Sequence, residues 1–276
     1  MYYKYLVFPL LGLISLTALI PPALHRAHGA SLPVSAKAGP CTFTFVQAGD
    51  PQIGGRSGLE NTKGRFLEFV RQMNELKPDF VVICGDLVND QTDPAEWAAF
   101  EEGLHQLQVP AKLVCGNHDD LATFRRKFGP DYYSFTHDNC EFIILNSNFM
   151  NALGGSWKMQ ADQQWQWLES TLARVRAEGR DHIFIAQHHP PQLLFLPWSR
   201  LRLEHLMQQY NAEFLLTGHS HMTHEFRFSQ YTTYTVAGTG WCQDGKGFGY
   251  RLFNVWPHDC HQEYVHLEEH AKAAKN

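Results

Sequence analysis

Five short apolar runs in this chain each break off at a cluster of aspartate, asparagine, histidine, glutamine and glycine: TFTFVQAGDPQ, FVVICGD, AKLVCGNHDD, HIFIAQHHPP and AEFLLTGHSH. Runs this short and this apolar suit strands buried on both faces. Helical patterns separate the first three. Phe66, Phe69, Val70, Met73 and Leu76 recur at helical spacing, and Lys77-Pro78 closes that stretch. Asp93-Pro94-Ala95-Glu96 reads as a capping-box start with proline at the first helical position, opening a helix towards Leu107. Strand, helix, strand, helix, strand in that order implies a parallel sheet with right-handed crossovers.

The second half continues the theme. YYSFTHDNCEFIILNS is two strand-like runs about a polar turn, and Trp165, Leu168, Leu172 and Val175 mark a long amphipathic helix. From Glu225 onward EFRFSQ, TTYTVAGT, YRLFNVW and QEYVHL make the chain β-rich. No linker or internal repeat divides it, and 44% apolar residues in 276 can fill a sizeable core. One α/β domain holding two sheets is the economical architecture.

Loops at the carboxyl ends of parallel strands converge on one crevice in α/β folds. The five clusters would therefore meet, bringing together Asp50 and Gln52, Asp86, Asn117-His118-Asp119, His188-His189, and His219 with His221. Taken singly, each is an ordinary polar turn. Together they supply carboxylates, amide oxygens and imidazoles, a set suited to a pair of borderline-hard divalent metals. Glycines beside Asp86, Asn117 and His219 allow sharp turns that aim those side chains inward. A total of 16 histidines, more than packing requires, also directs attention to metal binding.

The order Asp-x-Gln, Gly-Asp, Gly-Asn-His-Asp, His-His-Pro, Gly-His-x-His resembles the calcineurin-like metallophosphoesterase superfamily, with motifs from Asp50 to His221. The resemblance implies a four-layer α/β/β/α sandwich, two β-sheets flanked by helices, over residues 41–270. It also implies a phosphoester hydrolase, a phosphatase with two divalent metal ions (Mn, Fe, Zn or Mg) and a hydroxide bridging them. Carried over position by position, Asp86 would bridge both ions, Asp50, Gln52 and His221 would serve the first, and Asn117, His188 and His219 the second. His118 would be the general acid over the phosphate, and Asp119 would orient its imidazole.

Two departures from the family pattern carry information. The commonest first motif in the superfamily is Asp-x-His, whereas here a glutamine, Gln52, supplies a neutral and weaker donor, so the first site should be looser or favour Mn, Mg or Fe over Zn. The purple acid phosphatase branch places a tyrosine three residues after the bridging aspartate; Asn89 stands there, so no iron–tyrosinate chromophore is expected. DPQ, GDLVND and YYSF with FIILNS resemble the subgroup that includes a calcineurin-like-domain serine/threonine phosphatase.

Charge is modest, with 23 basic against 28 acidic residues, and no basic stripe supports a nucleic-acid partner. The expected partner is a phosphoester substrate. At the N-terminus, Lys4 precedes the apolar run Leu6 to Ile20, which Pro21-Pro22 break. That run is short for a membrane span, which needs roughly 20 residues, and suits a signal-peptide core. Residues 1–30 read as a signal peptide, with cleavage as late as 38 an option, and the chain as exported, periplasmic or secreted. An uncleaved N-terminal membrane anchor is the alternative; without it no stable membrane contact is expected. Of the 6 cysteines, Cys84 and Cys115 end apolar runs as buried strand residues, while Cys41, Cys140, Cys242 and Cys260 could pair in several ways.

Two rival functions stay open: a phosphodiesterase acting on cyclic nucleotides or glycerophosphodiesters, and a non-catalytic scaffold that kept the fold, motivated by Gln52.

Overall fold

The computed structural model describes residues 42–191, 197–245 and 247–267. The first sheet grows from β1 (Phe43–Ala48), β2 (Phe80–Ile83) and β3 (Ala111–Leu113), joined by α1 (Leu59–Leu76) and α2 (Pro94–Gln106). These three strands are parallel, as the alternation of patterns requires. The hairpin β10 (Gly249–Trp256) and β11 (Asp259–His266) adds antiparallel to β1, giving the order β11-β10-β1-β2-β3.

The second sheet takes β4 (Tyr133–His137), β5 (Cys140–Ile144), β6 (His182–Ala186), β7 (Phe214–Thr217), β8 (His224–Arg227) and β9 (Thr232–Thr235) in the order β4-β5-β6-β7-β9-β8. Its central strands β5, β6, β7 and β9 are parallel, and β4 and β8 close the edges antiparallel. α4 (Gly155–Glu178) carries the amphipathic pattern through Trp165, Leu168, Leu172 and Val175, all buried.

Period-two alternation assigns each face. In β1, Phe43 and Phe45 turn to a core shared with the second sheet, while Val46 and Ala48 turn to the helices. In β2, Phe80 and Val82 face the sheet–sheet core, as does Cys84 just after the strand, and Val81 and Ile83 face α1 and α2. The sheet–sheet layer is aromatic: Phe45 stacks on Phe253 at 4.5 Å and meets Phe142 edge-on at 5.1 Å. A third core joins the second sheet to α4 and α5 (Pro197–Tyr210). The outcome is the expected α/β/β/α sandwich.

Two helices escaped the sequence reading. α3 (Leu121–Phe128) is only 8 residues long, with Asp120 capping it by accepting from the Thr123 N–H at 2.8 Å. α5 follows the fourth polar cluster and has no clean apolar stripe beyond Leu203, Leu206 and Met207. The start of α2 also differs from a reciprocal capping box. Asp93 accepts from Ala95 N–H, but Glu96 turns away and accepts the N–H groups of Asn89 and Asp90 at 2.9 and 2.6 Å. Glu96 thereby fastens the loop after β2 to the head of α2.

Cys84 and Cys115 are buried as expected, and Cys140, Cys242 and Cys260 are unpaired thiols. Cys41, the proposed signal peptide at 1–30 and the last residues of the 41–270 domain lie outside the described residues. Among the described residues, no helix is long and apolar enough to cross a membrane.

Candidate metal centre

All five clusters meet at one rim of the sandwich, at the carboxyl ends of β1, β2 and β3 from one sheet and β6 and β7 from the other. Backbone bonds tie the loops together: Asp50 N–H donates to Gly85 O at 3.1 Å, Gln52 N–H to Asp86 O at 2.9 Å, and Gly218 N–H to His188 O at 3.0 Å. The chain is strained here. Of eight non-glycine residues with left-handed φ among the described residues, five are Asp50, Gln52, Asp86, His219 and His221. Such conformations cost of order 1–3 kcal/mol each and persist where the surroundings impose them. The sharp turning falls largely on the candidate ligands themselves. Gly116 and Gly218 serve close approach instead, since a Cβ there would stand 2.1 Å from Asp86 N and 2.5 Å from Asp50 Oδ2.

The donor atoms fall into two groups. Asp50, Asp86 and His221 bring ligand atoms within 4.8 Å of one another, as do His188, His189 and His219. Asp86 joins the two: its Oδ2 lies 3.3 Å from His188 Nε2 while it also belongs to the first group. His188 Nε2 is in turn 3.0 Å from Asn117 Oδ1 and 3.0 Å from His219 Nδ1. Neighbouring groups orient the imidazoles. His188 Nδ1 donates to Cys84 O at 2.7 Å, so Nε2 faces the cluster; His221 Nδ1 donates to Trp241 O at 3.2 Å, turning Nε2 towards Asp50. This is the backbone anchoring that fixes the tautomer of a metal-binding histidine.

Electrostatics describe the same need for cations. Burial drives the Asp50 carboxyl well above its ordinary range, with Asp86 adding to the rise and His188 opposing it. Burial and the Asp86 charge push Asp119 up to about 7. Burial would raise Asp86 too, but the charge and hydrogen bond of His188 outweigh it and hold that carboxyl well below its usual range. Burial would depress His188, yet Asp86 and Asp50 lift it to about 9. Burial first, then the His188 charge, lowers His189 to about 2 and His219 to about 4, and burial lowers His221 to about 4. Three imidazoles are thus neutral with lone pairs available, the form in which histidine binds metal.

Other sequence-predicted residues are placed as follows. Gln52 is 5% exposed and lies against the Asp86 backbone. Asn117 is exposed and His118 half-buried, at the mouth of the cluster. One expectation is corrected: Asp119 does not orient His118. Its Oδ1 accepts the Leu87 N–H at 2.8 Å and its Oδ2 the Gly116 N–H at 2.7 Å, so it cross-braces the two loops that carry Asp86 and Asn117. The His118 ring instead donates from Nδ1 to the Asn89 carbonyl at 2.7 Å, and the His118 N–H donates to Asp86 Oδ1 at 2.8 Å. The Asp119 carboxylate is taken up by backbone N–H groups of the two loops, and the His118 ring finds its partner on the Asn89 carbonyl instead.

Two residues outside the expected ligand set lie at the site. His189 lies in the second donor group, 4.3 Å from the His219 ring, with Nδ1 against Ser147 Oγ at 2.8 Å. Arg56, in the loop after Gln52, stacks over Trp241 at 3.8 Å, and Trp241 packs on His221 at 4.3 Å. Trp241 lies 20 residues beyond His221, a separation with no sequence signature.

Carboxylates, an amide oxygen and backbone-anchored imidazoles, arranged as two groups sharing Asp86, fit a pair of divalent ions. Fold and donor set together are those of an α/β/β/α sandwich with candidate ligand groups for two divalent ions at its rim.

The calcineurin-like phosphoesterase family matches residues 43–223, and the chain belongs to that family. Over 200 residues it is 29% identical to serine/threonine-protein phosphatase CPPED1 of Homo sapiens, the alignment covering 60% of this chain and 63% of that one. Over 210 residues it is 27% identical to a probable cyclic nucleotide phosphodiesterase of Moraxella catarrhalis, covering 66% and 73%. The chain spans 63% of the length of the human, bovine and orangutan (Pongo abelii) CPPED1 relatives it matches. Among solved structures, a dimetal phosphatase from Danio rerio shares the fold with a TM-score of 0.71 at 13% identity, covering 82% of this chain and 97% of that one. A purple acid phosphatase from yellow lupin does so at 0.62 and 15%, covering 82% and 52%.

Proposed function

We propose that this chain hydrolyses phosphoesters at the rim where Asp86 joins the two donor groups. Asp50, Asp86, His221 and Gln52 would hold one divalent ion, and Asp86, Asn117, His188 and His219 the other, with His189 beside them. When bound, such ions neutralise phosphate oxygens and lower the pKa of a water nucleophile. The observation that carries the reading is Asp86 itself, in contact distance of His188 and grouped with Asp50 and His221.

The chain's own residues do the remainder. His118 stands at the mouth with Nδ1 committed to the Asn89 carbonyl, which leaves Nε2 as the nitrogen available for proton transfer to a departing ester oxygen. General acid assistance of that kind contributes typically about 10²–10⁴-fold. Asp119 bonds to both the Asp86 and the Asn117 loops, which ties the segment carrying the proton donor to the loop carrying Asp86. The phosphatase reading draws support from the CPPED1 relatives.

A diester substrate has support of its own. A cavity of about 380 Å³ opens beside His219, lined by Pro190, Met222, His224 and Phe226, and could take another ester substituent. Export belongs to the proposal as well, supported by the apolar run Leu6 to Ile20 and its Pro21-Pro22 break.

The test is turnover of a phosphomonoester and a phosphodiester by Mn-loaded protein and by Asp86→Asn. Loss of at least about 10³-fold with retained folding is expected, since one residue serves both donor groups. An Asp86→Asn protein that stays active overturns the assignment.

A further inference from the structure

A cavity of about 410 Å³, with no lining residue in common with the one lined by Met222 and Phe226, also borders the donor groups. His188 Nε2 is equidistant, at 3.0 Å, from Asn117 Oδ1 and His219 Nδ1. The first cavity reaches Asn117 and His189, and the second reaches His219, so each is lined by a residue in contact with His188. Beyond Asn117 the walls of the first are Gln91, Asn148, Phe149 and Trp157.

These walls are built in advance. Asn148 Nδ2 donates to Gly116 O at 2.9 Å, which ties the far wall to the loop that carries Asn117. Asn148 N–H also donates to Asn146 Oδ1 at 3.0 Å, fixing the turn from which Phe149 projects. Phe149 is fully buried and meets Trp157 edge-on at 5.5 Å. Trp157 itself, in the first turns of α4, stays 49% exposed. A large aromatic surface, held in position by a buried ring and left open towards a cavity, binds a flat partner at low entropic cost. Among the described residues lining the cavity there is no lysine or arginine, while Asp119 and Asp120 contribute carboxylates. That charge balance disfavours a leaving group with further phosphates or carboxylates. The volume is at the small-molecule end of binding cavities, which run from roughly 300 to 1,000 Å³.

We propose that this cavity is the leaving-group subsite and that it takes an uncharged, flat aromatic group, which stacks on Trp157 while the carboxamides of Gln91 and Asn148 meet its polar edge. The inference rests on the phosphoester reading of the donor groups and names the substrate class that they serve. Trp157 is a specificity-determining residue, distant from the bond that breaks.

The test compares 2-phenylethyl phosphate with 2-cyclohexylethyl phosphate on the Mn-loaded full chain. Their alkoxide leaving groups are matched in basicity, so the ratio of kcat/KM reports the cavity and not leaving ability. A preference for the phenyl ester of about tenfold is expected, the scale of one aromatic contact. It should fall to within about twofold in Trp157→Ala and persist in Trp157→Phe. A ratio measured within each variant is insensitive to its folded fraction. Calorimetric binding of 2-phenylethylphosphonate, which cannot be hydrolysed, supplies a readout other than turnover, and its Kd should weaken about tenfold in Trp157→Ala. Equal rates for the two esters in the wild type, or an unchanged preference in Trp157→Ala, overturn the subsite. Ring-selective phosphonate binding without turnover of any ester would instead overturn the hydrolytic reading and leave the subsite standing.

Discussion

Both carboxylate oxygens of Asp50 lie 3.1 Å from the backbone nitrogen of His219 and accept its N–H. Asp50 follows β1 of the first sheet and His219 follows β7 of the second, so this bond closes the sandwich at the donor groups. Just beneath it, Gln47 Nε2 donates to Thr217 O at 3.0 Å and Tyr234 O at 2.8 Å, again across the sheets. The site is therefore assembled by sheet packing as much as by its loops.

Gln47→Leu removes both of those bonds and leaves two buried carbonyl oxygens without that donor. A destabilisation of about 1–3 kcal/mol is expected, together with weaker metal retention because Asp50 and His219 lose their register. Urea unfolding and metal content after dialysis measure the two effects. A variant with wild-type stability and metal content would show that the sheets need no such tie.

His118 and Asp119 should separate cleanly. His118→Ala should lower kcat by about 10²–10⁴-fold with little change in Tm. Asp119→Asn should do the reverse in kind: an amide NH2 turned against the Leu87 or Gly116 N–H lowers Tm, while the limb of the pH–rate profile that reports the general acid stays in place. A shift of that limb in Asp119→Asn would restore the direct pairing that the sequence suggested.

Gln52 tests how the first donor group is tuned. It is buried and held at φ 40 beside Asp86. Gln52→His exchanges a neutral amide oxygen for an imidazole and should raise retained Zn relative to Mn, read by elemental analysis of dialysed protein. Unchanged metal content would mean that the side chain points away from the ion.

Away from the site, His182 contributes a pH-dependent stability. Nδ1 lies 2.7 Å from Glu213 Oε2 and Nε2 2.9 Å from Trp256 O, two groups that only accept, so the imidazole donates from both nitrogens and is charged. Burial alone would lower its pKa, but the hydrogen bond and charge of Glu213 raise it above the ordinary histidine value. With the folded pKa above the unfolded one, the stabilisation is full below about pH 6.5 and is lost as pH rises through the folded value. The urea midpoint should fall over that rise, and Glu213→Gln should flatten the dependence. A wild-type midpoint that climbs through the same range would contradict the charged imidazole.

Much of the fold was legible because its signals are local. The apolar run in Phe80–Ile83, the proline-led start at Pro94 and the spacing of Trp165, Leu168 and Leu172 each report one element from neighbouring residues. α3 was missed because 8 residues with a single fully buried side chain, Phe124, leave almost no periodic signal. α5 was missed because its apolar residues do not gather into one stripe.

By itself the sequence determined that five strand ends carry Asp, Gln, Asn and His in a fixed order, since residue type and strand register are properties of adjacent positions. Tertiary structure decided which groups touch. It set Asn89 and not Asp119 against His118, brought His189 into the second donor group, stacked Arg56 on Trp241, and left Trp157 open beside Asn117. Those relationships span loops from different strands, and only the packing of one sheet on the other places them within a few ångströms.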